Sequence, residues 1–263
     1  MTETTRLRRE PPAFRRVAVR RVERLTPRMV RVTVAGAELA GLVVEQPAAS
    51  VRVLLPSRGS DDLIVPEWNG NEFLLPDGRR PAIRTFTPWR VDTDDLELDV
   101  GIVVHGGGVA SQWAQSVRPG DPAAISGPGR GYVVDEHARA FLVAGDETAL
   151  PAMTQVLEAV PDEASVQVRV EIGHADGRLE MPAAAGAETE WCALAPAAAP
   201  GDALGAAVRD AELTADTRVW AAGEAAAVQQ IRRHLFDERG IPRAHAAIRG
   251  YWKHGRAGDG GDE

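Results

Sequence analysis

The hydrophobic pattern of this chain changes near residue 138, and the change limits the folds that the chain can adopt. Before that point, short segments such as 16–22 and 29–34 alternate apolar with polar residues, as half-buried strands do. Beyond it, short apolar strands alternate with helical segments. Several short strands with turn signals predict a small antiparallel β-barrel, whereas alternating strands and helices predict a parallel sheet. We therefore predict a β + α/β fold, with a barrel domain over 13–137 and an α/β domain over 138–255.

The periodicity also predicts the individual elements and two irregular segments. Strands are expected at 16–22, 29–34, 50–56, 95–104, 140–145, 166–172, 191–194, 218–223 and 246–252, and helices at 110–117, 151–160, 203–211 and 225–239. The polar stretch 57–81 carries glycine and proline and predicts a loop, which at that length is usually functional or mobile. The tail 256–263 is mostly glycine and charged residues, a composition that predicts disorder.

Composition excludes several classes of function. The 263 residues carry a net charge of −8, which argues against a broad basic surface for nucleic acid. Cys192 is the single cysteine, so an intrachain disulfide and a multi-cysteine metal site are excluded. The histidines show no ligand spacing, and no bound metal is predicted. There is no apolar run of the ~20 residues that a membrane helix needs and no apolar leader, so we expect a cytoplasmic protein without membrane insertion.

A run of three glycines at 106–108 follows a predicted strand and precedes a predicted helix. Backbone N–H groups at a helix N-terminus bind phosphate, and glycine allows the backbone to approach closely. The hydroxyl of Ser111 is a further candidate donor. A glycine-rich turn with nothing bound is the alternative interpretation, and the run is not a dinucleotide fingerprint of the GxGxxG type.

The segment Arg84-Thr85-Phe86-Thr87 strengthens the phosphate interpretation. An arginine pairs with a pyrophosphate, an aromatic ring lies against a flavin, and a threonine can donate to the ring edge where hydride arrives. An ordinary strand with alternating sides is the alternative. Together, the two segments favour a site for a flavin dinucleotide, with Thr87 near its reactive edge and no protein side chain as the catalyst.

A family resemblance then rests on segments that span nearly the whole chain. They are Thr26-Pro27, 29–33, 84–87, 105–114, 118–121, 127–130, 145–152, 220–224 and 250–255. Their content and order resemble the siderophore-interacting proteins, FAD-dependent ferric-siderophore reductases of the ferredoxin-reductase-like superfamily. The chain departs from the common pattern at Phe86, where the family often has tyrosine, and at Val109, where it often has proline.

The resemblance implies an FAD-binding barrel and an NAD(P)H-binding α/β domain, and it assigns residues to both. The flavin and its phosphates are expected at Arg84, Thr85, Phe86, Thr87, His105, Gly106, Gly108, Ala110 and Ser111. The nicotinamide nucleotide is expected at or near Asp146, Glu147, Thr148, Ala149, Gly223 and Glu224. Asp146 and Glu147 would repel a pyrophosphate, so they suit ribose hydroxyls or simply favour a helix dipole, and the alternative for Glu224 is a charge at a helix N-terminus. A cation at Arg178 favours a 2′-phosphate and Asp176 an unphosphorylated ribose, which leaves NADH and NADPH both open.

The resemblance also indicates a substrate site at Arg52, Arg130 and Lys253. Many ferric siderophores are anionic and this chain is acidic, so a local group of cations is needed to offset the global field. Each cation taken alone is better explained as an ordinary solvated surface residue, and only the three together favour a substrate site.

The implied reaction passes electrons from NADH or NADPH through FAD to chelated Fe³⁺ and releases Fe²⁺ for iron assimilation. The cofactor supplies the chemistry, and the protein supplies orientation and electrostatics. Ferredoxin is a possible alternative donor. Two other functions remain open from the sequence, namely a flavin-dependent NAD(P)H oxidoreductase with a different acceptor, and a non-catalytic protein that binds FAD or a siderophore.

Overall fold

The computed structural model describes residues 11–56, 62–182 and 187–255, which form two large sheets, one two-stranded hairpin and four α-helices. The first strands are β1 (Arg15–Thr26), β2 (Met29–Ala35), β3 (Val51–Leu54), β4 (Glu67–Trp68), β5 (Phe73–Leu74), β6 (Ile83–Phe86), β7 (Pro88–Asp92), β8 (Glu97–Val103) and β9 (Pro122–Ser126). The later strands are β10 (Ala140–Asp146), β11 (Ser165–Ile172), β12 (Glu188–Ala193), β13 (Arg218–Glu224) and β14 (Ala246–Trp252). The helices are α1 (Val109–Ser116), α2 (Leu150–Ala159), α3 (Asp202–Asp210) and α4 (Ala225–Arg233).

Seven strands form one antiparallel sheet in the order β6-β3-β9-β1-β2-β8-β7. The two end strands, β6 and β7, are consecutive in the chain and are separated only by Thr87. A single residue cannot cross a flat seven-stranded sheet, since neighbouring strands lie about 4.8 Å apart. The sheet is therefore curled so that its two edges meet at Thr87, and its inward residues, such as Val32, Val53 and Val100, are fully buried.

The second sheet has five parallel strands in the order β12-β11-β10-β13-β14. Successive residues of β10 point to opposite faces, as a strand requires. Phe141 and Val143 pack into the cluster that contains α2, whereas Leu142 and Ala144 pack against α3 and α4. The strand order reverses between β10 and β13, and open α/β sheets bind ligands beyond the carboxyl ends of the strands at such a point.

A continuous apolar cluster joins the two sheets. Met29, Ala48 and Tyr132 of the first half are buried in the same cluster as α2 and β10. The side chain of Gln155 on α2 accepts a hydrogen bond from the backbone N–H of Ala48 at 2.8 Å and donates to the carbonyl of Pro88 at 2.6 Å. The α/β half is therefore anchored directly on the barrel, beside the seam at Thr87.

The β + α/β architecture confirms the predicted fold class, with three local differences. Strands β7 and β9 were not predicted, because each begins with proline and β9 shows no alternation of apolar and polar residues. The predicted loop 57–81 contains the short hairpin β4–β5, while residues 57–61 of it lie outside the described residues. The predicted helix 225–239 is α-helical only to Arg233 and continues as one wide π turn, His234–Glu238.

Several expectations are not tested by the fold. The domain boundary at residue 138 stays a prediction, and the tail 256–263 lies outside the described residues. Within the described ranges, the structure contains no helix that is both long and apolar enough to cross a membrane. Nor do the same ranges hold a group of three or more His, Cys, Asp or Glu side chains that could bind a metal ion.

Candidate functional site at the junction of the two sheets

The seam of the barrel contacts the last strand of the parallel sheet. Thr87 is only 7% exposed, and its Oγ1 lies 3.4 Å from the hydroxyl of Tyr251 on β14. Burial raises the pKa of Tyr251, although the hydrogen bond with Thr87 opposes the shift, so the phenol is neutral at physiological pH. This contact brings the predicted flavin segment 84–87 against the domain predicted to bind the nicotinamide nucleotide.

The segment 84–87 forms β6 and the residue that follows it. Arg84 is half-buried, faces Val53 in the ladder with β3, and donates to the carbonyl of Ile83 at 2.7 Å. Thr85 is exposed, whereas Phe86 packs against the apolar core of the barrel. Residues 84–86 form a strand, which is the alternative that the sequence left open, and this strand lies at the edge of the sheet.

The glycine turn at 106–108 leads into α1 as predicted, and its geometry explains the glycine at 108. Gly108 has φ of 87°, and a Cβ there would lie 3.2 Å from Cε1 of His105. A Cβ at Gly106 or Gly107 would meet nothing within 4 Å, so the space above the turn is open. No side chain caps the N-terminus of α1, which leaves its first N–H groups available to a ligand.

Ser111 closes this turn from inside. Its hydroxyl is 2% exposed, donates to the carbonyl of His105 at 2.7 Å, and accepts from the N–H of the same residue at 2.9 Å. Ala110 on the same helix packs against the barrel core together with Phe86. Ser111 therefore shapes the turn, and a phosphate above it would meet backbone N–H groups first.

Asp146 joins the carboxyl ends of three parallel strands at the switch point. It is 7% exposed, and four donors point at its two oxygens. Oδ1 accepts from the backbone N–H and the hydroxyl of Thr148 at 2.9 and 2.5 Å, and Oδ2 accepts from the N–H of Glu224 at 3.0 Å and the indole N–H of Trp252 at 2.7 Å. Burial raises the pKa of Asp146, and these hydrogen bonds oppose that shift.

Glycine is required beside this carboxylate. Gly223 has φ of 156°, and a Cβ there would lie 2.6 Å from Oδ2 of Asp146. Ala149 is fully buried beneath the same corner. A ribose hydroxyl would therefore have to displace one of the four protein donors to reach Asp146.

Glu147 turns away from Asp146 and toward the barrel. Its Oε2 accepts from Nε of Arg28 at 2.9 Å, across a sequence separation of 119 residues. Burial raises the pKa of Glu147, and the charge and hydrogen bond of Arg28 lower it in part. The pair is an ionic link between the two halves of the chain rather than a contact in the crevice.

Glu224 caps the N-terminus of α4. This is the alternative that the sequence left open, in which the carboxylate is a charge at a helix N-terminus. Its Oε2 accepts from the N–H groups of Ala226 and Ala227 at 2.6 and 3.0 Å, and its Oε1 accepts from the N–H of His254 at 3.0 Å. Burial works to raise its pKa, but the three backbone donors outweigh burial and lower it. Glu224 is thus held as a carboxylate.

The three predicted substrate cations lie on linked segments. Arg52 is on β3 opposite Ser126. The exposed Arg130 follows Gly129, and the N–H of Gly129 donates to the carbonyl of Ser50, just before β3, at 2.7 Å. Arg249 on β14 donates to the carbonyl of Arg130 at 3.2 Å and to that of the next residue at 2.9 Å. The exposed Lys253 follows directly after β14.

Sequence reasoning missed four residues at this junction: Arg28, Arg249, Tyr251 and Trp252. Tyr251 and Trp252 lie within the segment 250–255 that carried the resemblance, and an aromatic pair before a cation was their available signal. Arg28 and Arg249 carry no local signal, because their partners are more than one hundred residues away.

Comparison with known proteins places this geometry in a family. The model of the siderophore-interacting FAD-binding domain matches residues 18–132, and that of the siderophore-interacting protein matches 138–255. The crystal structure of a siderophore utilization protein from T. fusca is 35% identical, with a TM-score of 0.83 over 94% of this chain and 95% of that one.

Two curated relatives carry names that describe an activity. The NADPH-dependent ferric-chelate reductase of Escherichia coli is 29% identical over 91% of this chain and 92% of its own length. The ferric vibriobactin reductase ViuB of Vibrio cholerae is 27% identical over 87% of this chain and 85% of its own. The two matched domains and the coverage of the whole fold lead to one conclusion: the chain belongs to the siderophore-interacting protein family.

Proposed function

We propose that this protein is an FAD-dependent ferric-siderophore reductase that takes electrons from NADH or NADPH. The observation that carries the proposal is the contact between Thr87 and Tyr251, which joins the flavin segment of the barrel to the strand beside the nucleotide crevice. A reductase needs its donor and its flavin at one place, and the two halves of this chain meet there. The names of the E. coli and V. cholerae relatives support the same activity.

The residues of the barrel fit FAD. The space above the glycine turn is open, and the uncapped N-terminus of α1 offers backbone N–H groups to a pyrophosphate. Arg84 is the cation for the same phosphates, and Thr85, Phe86 and Thr87 are the residues for the flavin ring. Bound FAD would supply the redox chemistry of the reaction, because a flavin can take up a hydride and give up its electrons one at a time.

The remaining residues orient the electron donor and the acceptor and adjust the electrostatic potential around them. Thr87, which is buried, and Tyr251, which is half-buried, limit the access of water to the junction. Arg52, Arg130 and Lys253 supply local positive charge to an anionic chelate in a chain of net charge −8. Hard oxygen chelators hold Fe³⁺ more tightly than Fe²⁺, because attraction scales with charge, and reduction therefore weakens the complex.

Donor choice depends on the segment after β11. Asp176 and Arg178 are both exposed there, at the position where an acidic residue favours a free ribose and a cation favours a 2′-phosphate. We place the reaction in the cytoplasm, where both nucleotides are available, and keep reduced ferredoxin as the alternative donor. The bound acceptor is a ferric siderophore.

Anaerobic stopped-flow mixing of the flavin-loaded protein tests the proposal. NADH or NADPH is expected to bleach the flavin absorbance, and a ferric siderophore added next is expected to restore it. A protein that is bleached only by reduced ferredoxin would identify that donor. A flavin that neither donor reduces would indicate a binding protein, and a reduced flavin that ferric siderophores do not reoxidise would indicate a different acceptor.

A triple variant tests the acceptor site. R52A/R130A/K253A is expected to raise the KM for an anionic ferric chelate at least tenfold while flavin bleaching by the nucleotide is kept. The matched control is R20Q/R118Q/R139Q, which removes three exposed arginines elsewhere and changes the net charge equally. An equal KM effect in both variants would show that only the global charge matters and would refute the assigned site.

A further inference from the structure

Lys253 is the single lysine of the chain, which uses arginine at its other 29 basic positions. Its side chain is exposed, but the residues on both sides of it are anchored. The indole N–H of Trp252 donates to Oδ2 of Asp146 at 2.7 Å, and the backbone N–H of His254 donates to Oε1 of Glu224 at 3.0 Å. We call this arrangement the Lys253 clamp.

We propose that Asp146 and Glu224 are positioning residues that hold Lys253 at the acceptor site, which rests on the proposed ferric-siderophore reductase function. The two carboxylates close a ring, because Oδ2 of Asp146 also accepts from the N–H of Glu224 at 3.0 Å. Both are at the ends of β10 and β13, where the nucleotide is expected. One unit of structure therefore serves the donor crevice and the acceptor cation.

The clamp accounts for the burial of these carboxylates. Asp146 is 7% exposed and Glu224 4% exposed, and buried charged acceptors are costly unless each oxygen is satisfied. Every oxygen of the pair accepts at least one hydrogen bond from the protein. Such fully paired networks are rigid, since hydrogen bonds are strong at low local dielectric. A long, flexible ammonium side chain contributes to recognition only if its backbone is held in place.

Proteolysis after lysine measures the clamp directly and independently of activity. Because Lys253 is the only lysine, a lysine-specific protease cuts at one site and gives two products, 1–253 and 254–263. Trp252→Phe keeps a six-membered ring but removes the indole donor, and the flavin-loaded variant is expected to be cleaved about tenfold faster, the value of one hydrogen bond to a charged group. Cleavage of Trp252→Phe at the wild-type rate would overturn the proposal.

Trp191→Phe is the matched control, because Trp191 is half-buried on β12, the strand at the opposite edge of the parallel sheet from β14. It is expected to be cleaved at the wild-type rate, and equal acceleration in both tryptophan variants would refute a specific clamp. Glu224→Gln weakens the anchor at His254, on the other side of Lys253, because an amide nitrogen replaces one acceptor oxygen while the side-chain volume is kept. Glu224→Gln is therefore also expected to increase the rate of cleavage after Lys253.

Kinetics separate the clamp from the function on which it rests. Trp252→Phe is expected to raise the KM for an anionic ferric chelate about three- to tenfold, with little change in kcat, in the KM for an uncharged chelate or in flavin bleaching. If Lys253→Ala leaves the KM for the anionic chelate unchanged, the acceptor role of Lys253 fails, whereas the proteolysis result still decides whether the residue is clamped. Equal losses for both chelates in Trp252→Phe would contradict positioning.

Discussion

Replacing Arg28 with glutamine tests the ionic link between the two halves of the chain. The change leaves the buried carboxylate of Glu147 without its cation, while the hydrogen bond from the backbone of Gly173 remains. Loss of one partner from a fully buried pair costs about 3–5 kcal/mol. The Arg28 side chain is 38% exposed and is therefore partly screened by solvent, so we expect a loss of about 2 kcal/mol. For a chain of this size, that loss lowers the Tm by about 4–8 °C.

The loss is expected to depend on pH with a definite sign. Burial raises the pKa of Glu147 and Arg28 lowers it, so removing Arg28 raises the pKa further above the ordinary value of 4.5. The folded variant then holds its proton to a higher pH than the unfolded chain, and its stability falls as the pH rises. The difference from the wild type should be small near pH 4.5 and should grow to its full size toward neutral pH.

Thermal unfolding at several pH values, followed by circular dichroism, measures both effects. Arg139→Gln is the control, because its partner Glu163 is also exposed and such pairs contribute little. The double variant R28Q/E147Q should recover part of the loss, since it no longer buries an unpaired charge. A deficit in Arg28→Gln that is constant with pH, or a double variant with fully additive losses, would refute the reasoning.

Three further predictions concern other parts of the site and its support. Gly108→Ala forces a side chain into a positive φ and toward His105, so we expect about tenfold weaker FAD retention, measured as the flavin-to-protein ratio after dialysis. Glu171→Ala leaves the N–H groups of Gly201 and Leu204 without an acceptor, and should cost about 2–3 kcal/mol in urea unfolding. Burial raises the pKa of Cys192 to about 11, so its labelling by a thiol reagent at pH 7.5 should be about a hundredfold slower than that of free cysteine and should accelerate up to pH 10.

The sequence predicted the elements whose pattern is regular. Strand β10 reads as an apolar run and β2 alternates, and both formed within one residue of the predicted bounds. Strand β9, Pro-Ala-Ala-Ile-Ser, has little intrinsic preference for a strand and forms because β1 and β3 pair with it from either side. Such tertiary pairing overrides local propensity and leaves no mark in the segment itself.

The sequence predicted where the site residues lie better than it predicted which residues they contact. Asp146 and Glu147 were expected together at a strand end, yet one binds the indole of Trp252 and the other binds Arg28. The direction in which a side chain leaves a strand end depends on its partners, and these are about one hundred residues away in the chain. The expected contacts with FAD, nucleotide and siderophore therefore stay predictions, whereas the protein contacts of the carboxylates are described by the structure.

The one-residue link at Thr87 has a consequence for solubility. Sheet edges are templates for association between chains, because they present unpaired backbone N–H and C=O groups. Here the link brings both edges of the seven-stranded sheet to one place, and the α/β half covers it. The side chain of Gln155 donates a hydrogen bond to the carbonyl of Pro88, and the hydroxyl of Tyr251 contacts Thr87. The α/β half thus also covers the start of β7, and separating the two halves would expose this edge to association with other chains.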